Sequence, residues 1–203
     1  MRTSRLGAAL LFAALGVAGC SRPAVQAVPG PAPQAKDSPA GGAARTGAAP
    51  FALSSPAFAD GQPIPKRYSA DGDGISPPLR WSHPPAGTKA FALVVRDPDA
   101  PGGVFVHWVL YALPPALQEI AERVPAAETV SSLGNARQGV NSTGRPGYTP
   151  PSPPPGKLHH YIFTLYALDE RMSLAPRATD KDLAEAIAGR VTGQAAVTGT
   201  YQR

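Results

Sequence analysis

The fold of this chain is indicated by one apolar run and the turn that follows it, Ala90-Phe91-Ala92-Leu93-Val94-Val95-Arg96-Asp97-Pro98. The first six residues are continuously apolar, a pattern typical of a strand buried on both faces. The Asp97-Pro98 pair then ends the strand, because proline cannot donate to a β-ladder and an aspartate before it favours a turn. The stretch therefore predicts a central strand of a β-sheet.

Three further segments carry the same kind of signal. They are Val106 to Leu113, Tyr161 to Leu168 and Gln194 to Tyr201, and all are apolar or alternating runs. The 25 prolines and 21 glycines of the 203-residue chain argue against a helical bundle. The sequence therefore predicts a mainly β fold with long loops, of which Gly134 to Leu158 is the longest.

Helical signals are few. Thr179 and Asp182 have the spacing of a capping box. Leu183, Ile187 and Val191 then repeat every four residues, which predicts one C-terminal helix running to about residue 191. Leu117 to Arg123 is interpreted as a short helical turn.

Polar side chains cluster at the ends of the predicted strands. Asp97 follows the first strand, His107 opens the second, and His159 and Tyr161 open the third. Antiparallel neighbours bring the end of one strand to the beginning of the next, so these groups are predicted to share one rim. Trp108 directly follows His107, so it is expected to face away from it, into the core.

The N-terminus is a targeting signal. Arg2 and Arg5 precede an apolar run, Leu6 to Leu15, which is too short to span a bilayer. The run leads to Val17-Ala18-Gly19-Cys20, which resembles a bacterial lipobox. We therefore expect a lipoprotein signal peptide over residues 1–19 and acylation of Cys20. As the only cysteine, Cys20 also excludes an intramolecular disulfide and a cysteine-rich metal site.

Residues 20–50 are predicted to be a disordered tether. Nineteen of the thirty residues after Cys20 are Ala, Pro or Gly, and none is aromatic, so the segment cannot bury enough apolar surface to fold. The net charge of +5 comes mainly from these N-terminal segments, since residues 51–203 hold 14 basic and 13 acidic side chains. That balance argues against nucleic-acid binding.

Several short motifs of residues 51–203 together carry a resemblance to a known family. They are Asp73-Gly74-Ile75-Ser76-Pro77-Pro78-Leu79-Arg80-Trp81, Pro85-Ala86-Gly87-Thr88, Asp97-Pro98-Asp99-Ala100-Pro101, His107-Trp108, Gly144-Arg145-Pro146-Gly147-Tyr148, Pro154-Pro155-Gly156, His159-His160-Tyr161 and Gly199-Thr200-Tyr201. In this order they resemble the phosphatidylethanolamine-binding protein family, and most closely its bacterial branch described as Raf-kinase-inhibitor-like.

The resemblance implies a large antiparallel sheet packed on a smaller one, with a small anion-binding cavity at one end. The positions that match the cavity lining are Asp97, Pro101, His107, Pro154, His159 and Tyr161. Two features depart from the family pattern. His160 stands where the family usually has arginine, and Thr149-Pro150-Pro151-Ser152 replaces a stretch richer in glycine.

The chemistry of these residues suits anion recognition. His107 and His159 can donate hydrogen bonds and titrate near neutral pH, and Tyr161 offers a hydroxyl donor. Asp97 is expected to accept from a histidine or to hold the amine of a headgroup. We therefore predict a membrane-tethered binding protein with a pocket for phosphate-like anions or phospholipid headgroups, without cofactor, metal or catalytic activity.

Two other function classes stay open. Members of the family inhibit kinases or serine peptidases, so the domain could instead be a protein-interaction module. An enzyme acting on small phosphorylated or acylated substrates is the third interpretation, although the sequence lacks a Gly-x-Ser-x-Gly elbow, a Walker loop and a His-Glu-x-x-His motif. In each case the predicted location is the bacterial cell envelope, facing the periplasm. Ser21, in place of an aspartate, favours the outer membrane.

Overall fold

The apolar run at residues 90–95 lies at the centre of a six-stranded antiparallel sheet in the computed structural model, which describes residues 49–203. The strands are β1 (Ala52–Ser54), β2 (Leu79–Ser82), β3 (Ala90–Asp97), β4 (Phe105–Leu113), β5 (Glu119–Ile120), β6 (Thr129–Val130), β7 (Ala136–Gln138), β8 (His159–Leu168) and β9 (Val191–Tyr201). The large sheet has the order β6-β7-β4-β3-β8-β9, and the small sheet has the order β1-β2-β5.

One α-helix, α1 (Asp180–Ile187), and two single-turn 3-10 helices, Lys66–Tyr68 and Ser131–Leu133, complete the secondary structure of the described residues. The predicted fold class is thereby confirmed: mainly β, with a large and a small antiparallel sheet, one C-terminal helix and short helical turns. The predicted signal peptide, Cys20 and nearly all of the tether lie outside the described residues. None of the helices of residues 49–203 is long and apolar enough to cross a membrane.

The central strand β3 is apolar over residues 90–95, where both of its faces are buried. Phe91, Leu93 and Val95 pack in the core between the two sheets, which also contains Trp81 of β2. Ala92 and Val94 face the other way, into a second cluster closed by α1. This arrangement leaves only the ends of β3 open to polar chemistry.

The helix begins as predicted and ends earlier. Thr179 and Asp182 form both hydrogen bonds of the capping box. The helix stops at Ile187, so the prediction that it continues to Val191 was wrong. Gly189 adopts a φ of +75°, which reverses the chain, and Val191 then pairs with Leu168 as the first residue of β9.

The segment Leu117 to Arg123 is also not a helical turn. Glu119 and Ile120 form the short strand β5, in which Ile120 pairs with Leu79 of β2. Ile120 is almost fully buried in the core between the sheets. Burial of this side chain and pairing with an open strand edge outweigh the weak local preference of so short a segment.

Candidate functional site: a buried aspartate–histidine pair in an apolar cavity

A cavity of about 360 Å³ opens where β3 ends and where β4 and β8 begin. The residues that line it are Asp97, Ala100, Pro101, Phe105, His107, Thr149, Pro150, Ser152, Pro153, Pro154, His159 and Tyr161. All six residues that the sequence nominated are among them. The structure thus brings together side chains that are up to 64 positions apart in the chain.

The deepest polar contact is a hydrogen bond between Asp97 and His159. Asp97 is the last residue of β3 and His159 the first of β8, and these strands are antiparallel neighbours. The His159 Nδ1 lies 2.7 Å from Oδ2 of Asp97, and the side chains are 1% and 4% exposed. The other carboxylate oxygen of Asp97 accepts the backbone N–H of Asp99 at 2.8 Å. Since an ionised carboxylate only accepts, the proton of this bond belongs to His159 Nδ1.

The opposite ring nitrogen of His159 is the unusual feature. Its Nε2 is buried and has no hydrogen-bond partner among the described residues. Buried polar atoms are nearly always paired, because an unmade bond leaves the cost of desolvation uncompensated. His159 lines the cavity, and its Nε2 can act as an acceptor when the ring is neutral and as a donor when it is charged.

His107 is placed by a β-bulge in β4. Val95 pairs with Trp108 while Arg96 pairs with Val106, so His107 is the extra residue between the two pairs. Trp108 is fully buried in the core, as expected. The expectation that it faces away from His107 was wrong, because a bulge interrupts the two-residue alternation and puts both rings on the face that also carries Tyr161.

The His107 ring is held by backbone and aromatic contacts. Its Nδ1 donates to the carbonyl oxygen of Thr149 at 2.7 Å, and the Thr149 N–H donates back to the His107 carbonyl at 2.8 Å. The ring centroid lies 4.7 Å from that of Phe105 and 5.0 Å from that of Tyr161. Burial lowers the pKa of His107 below 6.5, although the Thr149 carbonyl and the Asp97 carboxylate oppose the shift. His107 is therefore neutral at pH 7.

Tyr161 supplies a hydroxyl that stays protonated. Burial raises its pKa well above the usual 10, and the nearby Asp97 carboxylate adds to the shift. It lies two residues after His159 on β8, so the two side chains point to the same face. The phenol is thus a permanent hydrogen-bond donor at this end of the sheet.

Four of the twelve residues that line the cavity are prolines, and the sequence identified only part of the lining. Phe105, Thr149, Pro150, Ser152 and Pro153 line the cavity in addition to the predicted residues. The available signal was the replaced stretch at residues 149–152, which lies between two matching motifs. Among the described residues, no lysine or arginine lines the cavity. Among the described residues that line the cavity, the two histidines are therefore the ones that can carry positive charge.

The residues just outside the cavity have separate roles. His160 is exposed, and its ring and backbone nitrogens both contact Oδ2 of Asp99, at 2.7 and 2.9 Å. That hydrogen bond holds the pKa of Asp99 below its usual value. Tyr148 packs edge-on against Trp108 and donates to the Tyr68 carbonyl, so it braces the loop and does not line the cavity.

Within residues 49–203, no group of three or more His, Cys, Asp or Glu side chains is placed to hold a metal ion. The arrangement can instead orient an imidazole, donate from a phenol and surround a small molecule with apolar walls.

Comparison with known proteins shows which family the chain resembles. The family model described as phosphatidylethanolamine-binding protein matches residues 54–202. A Methanothermobacter thermautotrophicus protein called UPF0098 protein is 44% identical over 151 residues, which are 74% of this chain and 98% of that protein. LppC of Mycobacterium tuberculosis, named as a proposed lipoprotein, is 44% identical over 157 residues, or 76% of this chain and 74% of LppC.

Solved structures from the same family superpose on this chain. A Chlamydia trachomatis homologue of phosphatidylethanolamine-binding protein superposes with a TM-score of 0.69 at 40% identity, covering 76% of this chain and 98% of that one. Escherichia coli YbcL, described as a member of the mammalian family, gives 0.71 at 28% identity, covering 76% and 99%. With the family model matched over nearly the whole of the folded region, the chain belongs to the phosphatidylethanolamine-binding protein family.

Proposed function

We propose that the cavity binds a small phosphate-like anion, either free or as the headgroup of a phospholipid, and that the protein is a binding module and not an enzyme. The observation that carries the proposal is the unpartnered Nε2 of His159 in a ring oriented by Asp97. An anion oxygen in the cavity would give this atom its missing partner once the ring is protonated. Asp97 would then stabilise the imidazolium through the same 2.7 Å hydrogen bond.

The other polar groups extend the same chemistry. The Tyr161 hydroxyl and the Nε2 of His107 are two further donors, the latter when its ring is charged. Buried imidazolium and carboxylate together leave little net charge, which suits a monoanion or a zwitterion better than a dianion. The proline walls provide apolar contact for the part of the ligand that is not charged.

Membrane attachment belongs to the same proposal. The lipobox at Cys20 predicts an acylated N-terminus, and a relative named as a proposed lipoprotein, LppC, supports that interpretation. Residues 20–50 would then connect the domain to the surface of a bacterial envelope membrane. Such a tether keeps a headgroup pocket close to its ligand.

The test removes Nε2 of His159 and leaves the contact with Asp97. In His159→Asn the side-chain amide nitrogen occupies nearly the position of Nδ1, so the hydrogen bond to the carboxylate is kept. Calorimetric titration of the full chain with inorganic phosphate at pH 6 should show an affinity lowered roughly 10- to 150-fold, the equivalent of about 1.5–3 kcal/mol for a lost charge-assisted hydrogen bond.

His160→Asn is the matched control, because it makes the same change one residue along the strand on an exposed side chain. It should bind phosphate as the parent chain does. Equal affinity in the two variants, or no phosphate binding by the parent chain, would overturn the proposal and favour the protein-interaction module in its place.

A further inference from the structure

Two loops whose residues are mostly exposed, 98–104 and 153–158, contribute to the lining of the cavity, and we call them the mouth rim. The large hydrophobic side chains most exposed in the described part of the chain are Val104, Leu158 and Val191, at 60%, 44% and 40%. Val104 and Leu158 both belong to the mouth rim, directly before β4 and β8. Val191 begins β9 and pairs with Leu168, so it lies at the opposite end of the sheet.

The mouth rim carries almost no free charge. Its 13 residues include only two ionisable side chains, Asp99 and Lys157, and the others are Pro, Gly, Ala, Val or Leu. The Asp99 carboxylate is bonded to His160, and the Lys157 ammonium donates to the Asp99 carbonyl at 3.1 Å. Few charged side chains would therefore lose water if this edge left the aqueous phase.

The loops also project outward. A Cβ added at Gly102, Gly103 or Gly156 would meet nothing within 4 Å, so the tips have open space around them. The loop tips are therefore apolar, whereas the hydrogen-bonding side chains of Asp97, His107, His159 and Tyr161 lie inside the cavity. A lipid–water interface has the complementary order, since its headgroups lie above its acyl chains.

We propose that the mouth rim enters the interfacial layer of a phospholipid bilayer, with Val104 and Leu158 beside the upper acyl chains and the cavity open to the headgroups. This proposal rests on the proposed function in its second form, in which the bound anion is the headgroup of a phospholipid that stays in the membrane. Two aliphatic side chains are too few to hold a domain on a bilayer alone, and stable attachment takes two signals.

The N-terminal segment supplies the other signal. Cys20, the predicted site of acylation, is joined to the described domain by residues 21–48. As a flexible coil that length of chain would span about 30 Å, which is enough for the domain to turn its mouth rim toward the surface that holds the anchor. A weak apolar contact is then sufficient, because the tether keeps the local concentration of bilayer high.

The test reads depth in the membrane at single positions. Val104→Cys, Leu158→Cys and, as control, Val191→Cys each add one thiol to a chain whose only natural cysteine is Cys20. The full-length variants are labelled with a nitrobenzoxadiazole fluorophore and attached through their N-terminal segment to vesicles of phosphatidylethanolamine and phosphatidylglycerol that contain nitroxide-labelled lipid. The parent chain, treated in the same way, corrects for any label on Cys20.

The probes at positions 104 and 158 should be quenched several-fold more strongly than the probe at 191, and their emission should shift to the blue. Equal quenching at all three positions, or none at 104 and 158, would overturn bilayer docking, and the second result would leave a protein as the occupant of the mouth rim. Titration of the same proteins with inorganic phosphate separates the two proposals. Phosphate binding without rim quenching defeats only this inference, whereas absence of phosphate binding defeats the proposed function.

Discussion

At the scale of single residues, the site depends on which nitrogen of each histidine the fold occupies. In both rings Nδ1 is taken, by the Asp97 carboxylate in His159 and by the Thr149 carbonyl in His107. In both, Nε2 is the atom left for a ligand. The two rings differ in partner, which is a side-chain carboxylate for His159 and a backbone carbonyl for His107.

We expect acid to destabilise the protein through His107. Burial lowers the pKa of His107 in the folded state, so the unfolded chain takes up this proton first as the pH falls. The stabilising contribution is complete above about 6.5, the unfolded value, and is lost as the pH drops from there toward the folded pKa. In His107→Asn, which keeps a donor for the Thr149 carbonyl, the melting temperature should fall less between pH 7 and pH 5 than it does in the parent chain.

His83→Asn serves as the control for that experiment, because His83 lies in an exposed loop outside the cavity. Its melting temperatures should follow those of the parent at every pH. If His107→Asn also follows the parent, His107 is not a source of the acid sensitivity.

Anion binding should weaken as the pH rises. If an anion needs imidazolium at His107, its binding must be coupled to protonation of that ring once the pH exceeds the ring's own pKa, which lies below 6.5. Affinity is therefore highest in acid and declines as the pH rises from that value to the pKa of the complex. Dimethyl phosphate, whose charge is constant over this range, is the suitable ligand, and calorimetry in two buffers of different ionisation enthalpy should detect proton uptake. Binding that is independent of pH between 5 and 8 would show that neutral rings suffice.

At the scale of elements, the predictable parts are those in which local pattern and tertiary contact agree. The six apolar residues at positions 90–95 form the buried part of strand β3, and the capping box at Thr179 starts α1 where expected. The wrong predictions concern segments whose secondary structure is determined by contacts with residues distant in the sequence. The end of α1 depends on pairing of Val191 with Leu168, and β5 depends on a free edge of β2 next to Ile120.

In the cavity, too, local motifs could be predicted from the sequence and features that depend on distant contacts could not. Its six nominated residues come from motifs at strand ends and were found from the sequence with the family resemblance. Their placement around one cavity now gives geometry to a binding role that stays a prediction. The bulge at His107 could not be read from the sequence, because an extra residue in a strand is defined only by the partner strand that it fails to match.

The helix can be weakened without touching the site. Thr179→Ala removes the side-chain acceptor for the Asp182 N–H and should lower the free energy of unfolding by about 1 kcal/mol, which corresponds to roughly 2–4 °C in melting temperature. α1 packs on the face of the sheet that carries Ala92 and Val94, away from the core that contains Tyr161. Phosphate affinity should therefore stay at the parent value, and a parallel loss of affinity would show that the helix supports the cavity.

At the scale of the whole molecule, the sequence predicts a division of labour between an anchoring segment and a folded domain. The family match begins at residue 54 and the first strand at Ala52. Residues 21–50 lie before both, and only two of them, residues 49 and 50, are among those described. Attachment and stability should therefore respond to different changes.

Removal of Cys20 should affect location alone. Cys20→Ser prevents thioether formation, so the protein should leave the membrane fraction or accumulate as an unprocessed precursor, and metabolic labelling with a fatty acid should be lost. A parent chain that takes up no fatty acid and fractionates as soluble protein would refute the lipobox interpretation.

Deletion of residues 21–50 should leave the melting temperature of the domain nearly unchanged, because residues that do not pack on a core seldom change stability by more than about 0.5 kcal/mol. Thermal denaturation of the two chains side by side measures this. A loss of several degrees would mean that the segment packs on the domain.

The short hydrogen bond between Asp97 and His159 also provides a means of finding the natural ligand. A proton held between a buried carboxylate and an imidazole is shielded from exchange with water, so it should give a separate, far-downfield line in a proton NMR spectrum. Any compound that contacts Nε2 changes the electron density of the ring and should move that line, whatever its chemical class. Extracts of envelope lipids and metabolites can therefore be screened on the unlabelled protein, with one resonance reporting occupancy of the pocket.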